Sequence, residues 1–297
     1  MDRFNRPGEP GASPSDEGKN RRVTTAPLFC DAALARRIEA AETGLIVAAT
    51  EAADRRGIDA LTLPVAGGCA CYAEAGSPMN KVVGLGFAGA PDDWDRIEHA
   101  MDDRGAPVQV ELSNLADPAV TLLLGERGYA VTGFENVLGR LLPAESVDVP
   151  GVEVRLGRDD EQDAYVDVLV DGFMHPSDVG GAAHEEFPRD IVERAMRDIT
   201  TAGATSYLAL CDGAIAGGGS MRLSDGIAQL TGAATAPAFR RRGVQAALLA
   251  ARLRDATAAG CDIAVVTTAP GSISQKNVQR KGFQLLYTRA ILVRPVI

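Results

Sequence analysis

Three consecutive arginines, Arg240-Arg241-Arg242, stand directly before Gly243 in a chain whose net charge is -10. An acidic protein that grips a polyanion needs a local island of positive potential, so the place of such a cluster is informative. The segment Ala234 to Leu249 leads from an apolar run into an amphipathic helix, with Val244, Ala247, Leu248 and Ala251 on its inward stripe. The first turn of a helix leaves backbone N–H groups unpaired at the positive end of its dipole. Gly243 has no side chain to keep a diphosphate from that backbone. Three arginines at a helix start oppose the dipole, a local cost that a bound anion removes. The pattern predicts an anion site built from Arg240, Arg241, Arg242, Gly243, Val244, Gln245 and Ala246. The plain alternative is a solvated basic turn.

Other chemistry-bearing residues point elsewhere or nowhere. Gly84-Leu85-Gly86-Phe87-Ala88-Gly89 has the spacing of a dinucleotide fingerprint, but Asp92, Asp93 and Asp95 follow it and would repel a pyrophosphate. Those glycines read as turn residues. Cys69 and Cys71 share one face of a strand without further Cys or His ligands nearby, so they read as core and no metal is expected. His99, His175 and His184 are the only histidines, and no G-x-S-x-G elbow accompanies them. His175, His184, Glu185 and Glu186 flank a Pro176–Gly181 stretch that reads as a loop.

The apolar run before Thr235-Ala236-Pro237, then Phe239-Arg240 and the Arg240-x-x-Gly243-x-Gln245 turn, resemble the acyl-CoA motif of the GNAT acyltransferase superfamily. Gln245 departs from that motif's usual Gly or Ala. Pro270 to Asn277 followed by Gly282-Phe283 is similar to a family ending, and the resemblance covers residues 150 to 297. It implies acetyl-CoA as acyl donor and direct attack of an amine on the thioester in a ternary complex. It also implies an oxyanion held by backbone N–H groups near Ala233, Ala234 and Thr235, and a pantetheine arm between the strand ending at Ala234 and the strand Ile263 to Thr267. The family's tyrosine proton donor would fall on Val278. Asn277 and Tyr287 are the candidate catalytic replacements, Asn277 also being a cofactor contact, and Ser274 lies in the same neighbourhood.

These residues need a scaffold. The chain has 297 residues, 46% hydrophobic and 24% charged, an ordinary globular composition. No apolar run of 18 residues predicts a membrane span, and the N-terminus lacks a signal-peptide core. The net charge opposes a nucleic-acid surface. Five cysteines without framework spacing fit a cytoplasmic protein.

Residues 1–26 read as a disordered tail. A helix capped by Asp31 follows, then strands near Leu61, at Cys69–Tyr72 and at Lys81–Phe87. Helices are expected at Asp92–Asp103 and Pro118–Arg127, and strands at Val108–Leu112 and Tyr129–Leu142. A break at Pro143–Pro150 separates a second series: strand Val152–Leu156, helices Glu161–Asp171 and Glu186–Ile199, and a hairpin across Asp212-Gly213. Strand Ile227–Ala234, helix Arg241–Ala259, strand Ile263–Thr267, helix Ile273–Lys281 and strand Gln284–Val293 complete it.

The halves repeat. Gly128-Tyr129 matches Gly282-Phe283, and from those glycines Val137 matches Ile291, Leu138 matches Leu292 and Arg140 matches Arg294. The expected fold is α/β (α+β): two tandem GNAT-like domains, each a mixed, mostly antiparallel sheet flanked by helices. Residues 27–145 would be a degenerate copy and 150–297 the working N-acetyltransferase. The acceptor is then a small-molecule or protein amine, with neither nucleic acid nor membrane as partner. The assembly is a pseudo-dimeric monomer or a homodimer. A non-catalytic acyl-CoA sensor or scaffold is the second reading.

Overall fold

The protein is described here by a computed structural model covering residues 27–144, 148–175 and 187–296. The expected tail, His184, Glu185, Glu186 and the Pro176–Gly181 stretch lie outside the described residues. Helix α1 (Ala32–Arg55) begins where the Asp31 carboxylate accepts the Leu34 N–H at 2.8 Å, and Gly57, at φ +84°, follows its end. Strands β1 (Leu61–Val65), β2 (Gly68–Tyr72) and β3 (Lys81–Val83) follow. β3 is shorter than expected because Gly84, at φ +77°, turns the chain out of the sheet. Then come α2 (Asp95–Asp102), β4 (Val108–Ser113), α3 (Pro118–Glu126) and β5 (Ala130–Leu141).

The second series is β6 (Glu153–Leu156), α4 (Gln162–Met174), α5 (Arg189–Thr201), β7 (Thr205–Cys211), β8 (Ala214–Ser224) and β9 (Ile227–Thr235), then α6 (Val244–Ala258), β10 (Ile263–Thr268), α7 (Ile273–Gln279) and β11 (Gln284–Arg294). The turn between β7 and β8 uses Asp212 at φ +53° and Gly213 at φ +79°, the paired left-handed residues of a tight hairpin.

The eleven strands of the described residues form one open mixed sheet, in the order β1-β2-β3-β4-β11-β5-β10-β9-β8-β7-β6. The mixed α/β architecture is as expected, but the sheets of the two halves are joined, because each half lends its last strand to the other. β11 pairs with β4, β5 pairs with β10, and the two exchanged strands pair with each other in the middle. Parallel pairs β3–β4 and β9–β10 flank that centre symmetrically.

The register carries the repeat. Gly128 and Gly282 are 154 residues apart, and this offset converts each β5–β11 pair into another observed pair. Leu138↔Leu285 becomes Val131↔Leu292, Val137↔Tyr287 becomes Gly133↔Ile291, and Asn136↔Thr288 becomes Phe134↔Ala290. The irregularities after Leu285 and Ile291 exchange in the same way. Glu135↔Arg289 maps onto itself, so the pseudo-twofold axis passes there.

Alternation puts neighbouring side chains into different layers. Val137, Ile263 and Val265 pack under α1, while Leu138 and Ala264 pack with α6 and α7. Val83 joins α1 and α5, whereas Val82 packs with α2 and α3. Helices α1, α4 and α5 therefore cover one face and α2, α3, α6 and α7 the other. α1 spans both halves, and its neighbourhood holds most of the buried charge.

Candidate active site

The strand-to-helix passage in the second half is built in three steps. β9 ends as the Ala236 N–H reaches the Ala216 carbonyl at 3.0 Å, and Pro237–Phe239 form one 3-10 turn. Arg240 is extended, Arg241 is left-handed at φ +64°, and Gly243 is left-handed at φ +85°. A non-glycine residue at positive φ carries local strain, a state that clusters at functional turns. The first hydrogen bond of α6 is Ala247 N–H to Gly243 C=O, 3.0 Å, which leaves the N–H groups of Val244, Gln245 and Ala246 without helical partners. A left-handed residue followed by a right-handed one turns consecutive N–H groups inward as an anion nest.

Arg241 and the other two arginines precede the helix instead of opening it, because Gly243 is its N-cap. The dipole conflict inferred from sequence is thereby smaller than a first-turn placement would give. Arg242 pairs with Asp212 at 2.8 Å, an exposed contact that raises its pKa further, and its guanidinium lies 5.6 Å from the Phe239 ring centre. Arg240 donates to the His175 carbonyl at the end of α4. Val149, in the link between the halves, packs on Gly243, where an added Cβ would come within 2.6 Å of its Cγ1.

Beside this turn the sheet opens. β9 and β10 pair only over Ile227↔Ile263, Ala228↔Ala264 and Gln229↔Val265, although both strands continue. Gly232, at φ +29°, is an extra residue against β8, between Thr231↔Ser220 and Ala233↔Gly219. Such a bulge bends its strand, here away from β10. The main chain at Ala233, Ala234 and Thr235 therefore has no strand partner on the β10 side. Thr235 Oγ1 and Thr268 Oγ1 are buried without hydrogen bonds at the ends of the two strands. Close approach of Gly172 to Ala234 and of Gly217 to the Ala234 carbonyl fixes the bent segment from both sides.

On the α1 side, the parting strands bound a cavity of about 200 Å³. Gln229, Thr231 and Thr267 line it from the strands, Glu42 from α1, Lys81 from β3 and Arg289 from β11. Behind it lies an ionic network. Arg289 pairs with Glu39 at 2.8 Å and stands 3.6 Å from Glu111 and 3.7 Å from Glu135. Lys81 pairs with Glu111, and Gln229 Nε2 donates to Glu42. Burial, reinforced by Glu111, raises the Glu135 carboxyl to about 7. Burial also raises Glu42, whereas at Glu111 the cations Lys81 and Arg289 outweigh burial and hold it low. Lys81 is raised because Glu111 and Glu135 overcome its burial.

None of these polar residues was singled out from sequence. A signal existed in Arg289, a full charge in the middle of the mostly apolar run Leu285–Val293.

The remaining candidates are dispersed. Tyr287 is buried and donates its hydroxyl to Glu39 at 2.6 Å, in the ionic network and outside the cavity lining. Asn277 is exposed on α7, one residue before Val278, which anchors that helix in the core. His175 ends α4, its Nδ1 2.8 Å from the Asp171 carbonyl. Cys69 and Cys71 are buried, and the described residues contain no group of His, Cys, Asp and Glu that could hold a metal. No described helix is long and apolar enough to cross a membrane.

The glycine-rich loop after β3 is filled by protein. A Cβ on Gly84 would meet Thr43 Oγ1 at 2.3 Å, one on Gly86 would meet Ala116 Cβ at 2.3 Å, and Leu85 is fully buried.

Comparison with known proteins gives a consistent result. Residues 174–283 match the model of the acetyltransferase (GNAT) family. A GCN5-related N-acetyltransferase from Kribbella flavida superposes with TM-score 0.57 at 17% identity, covering 87% of this chain and 96% of its own. A tandem GNAT protein from the clavulanic acid biosynthesis pathway superposes with TM-score 0.51 at 12% identity, covering 69% of each chain. At these identities the two structures speak for the fold alone. A search of curated proteins finds no match.

Proposed function

We propose, from the premise that residues 174–283 carry a GNAT acetyltransferase domain, that the protein is an acyl-CoA-dependent N-acyltransferase with acetyl-CoA as donor. The observation that carries this reading is the opening between β9 and β10 directly beside a left-handed, arginine-flanked helix start. A chain that wanted only a stable sheet would keep the ladder closed.

The residues fit a CoA thioester. The N–H groups of Gly243, Val244, Gln245 and Ala246, with Arg240, Arg241 and Arg242 around them, suit the diphosphate. The Arg242–Asp212 pair does not oppose this, because a solvent-screened ion pair yields easily to a more highly charged partner. The orphaned Thr235 and Thr268 hydroxyls and the free edges of both strands suit the amide groups of a pantetheine arm. Main-chain N–H groups at Ala233 to Thr235 suit a developing oxyanion. When bound, acetyl-CoA supplies an acyl carbon activated by a thiol leaving group. Asn277, exposed on α7, is retained as a contact at the outer rim.

A thermal-shift titration with acetyl-CoA, CoA and NAD tests the reading. At about 100 times its dissociation constant acetyl-CoA should add about 2.7 kcal/mol. NAD should add nothing, and the double variant Arg240→Ala/Arg242→Glu should lose most of the acetyl-CoA shift. Absence of any acetyl-CoA shift in the wild type would end it.

A further inference from the structure

Arg252 is a buried charge that the donor site described above leaves without a role. It stands on α6, 4% exposed, and among the described residues no carboxylate pairs with it. Burial pushes its pKa down to about 10, against the opposing pull of the Tyr165 and Tyr207 hydroxyls. A buried guanidinium without a counter-ion is costly, so what it touches matters. Its hydrogen bonds go to main-chain oxygens. Nε donates to the Leu248 carbonyl at 3.1 Å, one turn back on the same helix, and Nη1 donates to the Ser220 carbonyl at 3.0 Å.

Ser220 is where β8 meets the bulge of β9. The strands pair as Ser220↔Thr231 and Gly219↔Ala233, with Gly232 the extra residue between. Arg252 lies against this break. A Cβ on Gly219 would come within 3.2 Å of its Cζ and 3.4 Å of the Gly232 carbonyl oxygen. Neighbours on a strand point to opposite faces, so Ser220 acts from the other side. Its hydroxyl donates to the Thr231 carbonyl at 3.1 Å and stands 2.6 Å from Thr231 Oγ1. The bulge is held from both faces of the sheet.

We propose that Arg252, seconded by Ser220, is a positioning residue for the acyl-CoA thioester: it fixes the bulge at Gly232 and so keeps the end of β9 parted from β10. The proposal rests on the acyl-CoA reading and names what shapes that site. A regular ladder would give Ala233 to Thr235 a partner in β10, and an apolar side chain could then stand at position 252. The chain instead sets a buried charge at the break. α6 carries both devices, because its first turn presents the nest after Gly243 and Arg252 lies roughly 13 Å further along its axis. One helix therefore sets the diphosphate end and the thioester end of the same ligand.

The test measures acetyl-CoA binding by calorimetry, per folded molecule, in full chains carrying Arg252→Met, Arg252→Lys or Ser220→Ala. Methionine keeps an unbranched, adaptable side chain in the core and removes the donors. Arg252→Met should bind acetyl-CoA about tenfold or more weakly, the effect of losing a charged hydrogen bond at the bulge. Its urea midpoint should stay near the wild-type value, because the unpaired charge it removes offsets the carbonyl it abandons. Arg252→Lys, which can still donate, should recover much of the affinity, and Ser220→Ala should lose less than Arg252→Met. In the ligand-free protein, amide exchange over Ala233 to Thr235 should slow in Arg252→Met as the strand end gains β10 as a partner. Wild-type affinity or unaltered exchange in Arg252→Met, or equal losses in the lysine and methionine variants, would make Arg252 a packing residue and overturn the proposal while the acyl-CoA reading stands. Should Arg252→Met fail to fold, Ser220→Ala decides, and wild-type affinity and exchange there overturn it. A wild-type chain that does not respond to acetyl-CoA ends the reading itself, and this role with it.

Discussion

The two halves place the same elements about one pseudo-axis and treat the space between strand and helix in opposite ways. In the second half, β9 bends at Gly232, parts from β10, and passes through Arg240–Arg242 to a left-handed Gly243. In the first half, β3 stops after three residues, and Leu85 and Trp94 fill the corresponding region as buried side chains. There α2 begins at Asp95, which is tied to Arg127. The difference teaches that the sheet depends on apolar alternation, which both halves keep. The cradle depends on an absence of side chains and a sign of charge, which only one half has.

The axis itself shows what divergence allows. A residue at the centre of a symmetric strand pair faces its own equivalent, and like charges there repel. The offset of 154 places Glu135 and Arg289 at that point, 3.7 Å apart, so the two halves carry opposite signs where identical chains could not. The largest predicted effect follows. Arg289→Met removes the guanidinium that faces Glu39, Glu111 and Glu135 together, leaving buried carboxylates short of a counter-charge. Breaking a buried pair in this way costs about 3–5 kcal/mol, to be read as a lowered urea midpoint. A loss confined to activity would mean that the axis is not structural.

Glycine substitutions sharpen the comparison next. Gly86→Ala places a methyl 2.3 Å from Ala116 Cβ at a backbone φ of +86°, so it should cost about 1–3 kcal/mol of stability. Acetyl-CoA affinity per folded molecule should be kept. Gly243→Ala shares that left-handed strain, at φ +85°, and meets Val149 Cγ1 at 2.6 Å, so it should cost comparable stability and in addition weaken acetyl-CoA binding at least tenfold per folded molecule by calorimetry. Equal effects on binding from the two substitutions would contradict the division of labour.

Much of this frame was legible in the sequence. Alternating apolar residues and glycine stops gave nearly every strand and helix, and Gly128 with Gly282 gave the offset that the register obeys. The exchange of β5 and β11 was not legible, because each strand offers the same apolar faces to either neighbour and the choice is made by the other half. Tyr287 was noticed for its hydroxyl, yet its direction toward Glu39 is set by α1, some 250 residues earlier. Glu42 and Gln229 are unremarkable in sequence. They meet only because a helix of the first half lies over the open strands of the second.

The pH dependence of stability separates the two centre residues. Glu135 is raised from 4.5 to about 7 by burial and by Glu111, whereas Arg289 keeps its charge throughout. Between pH 4.5 and 7 the folded chain binds this proton more tightly than the unfolded chain. Its contribution is complete below about pH 4.5 and is lost as the pH rises through 7. Glu135→Gln, which mimics the protonated group, should therefore flatten the fall in urea midpoint over that window and exceed wild type above it. A parallel pair of curves would show that Glu135 ionises normally.

The smallest expected effect concerns the Arg242–Asp212 ion pair at the cradle. Asp212 sits at φ +53° in the β7–β8 turn, a conformation that asparagine adopts readily, so Asp212→Asn should leave stability unchanged within error. It does, however, release Arg242 from a competing carboxylate beside the helix start. Acetyl-CoA should then bind about two- to fivefold more tightly at low ionic strength, with the gain shrinking as salt screens the competitor. The first-half comparison, Asp95→Asn, leaves Arg127 paired with Glu98 at a turn whose interior is already filled, and it should confer no acetyl-CoA affinity on that half. Weaker binding in Asp212→Asn would mean that the carboxylate positions the guanidinium instead of competing for it.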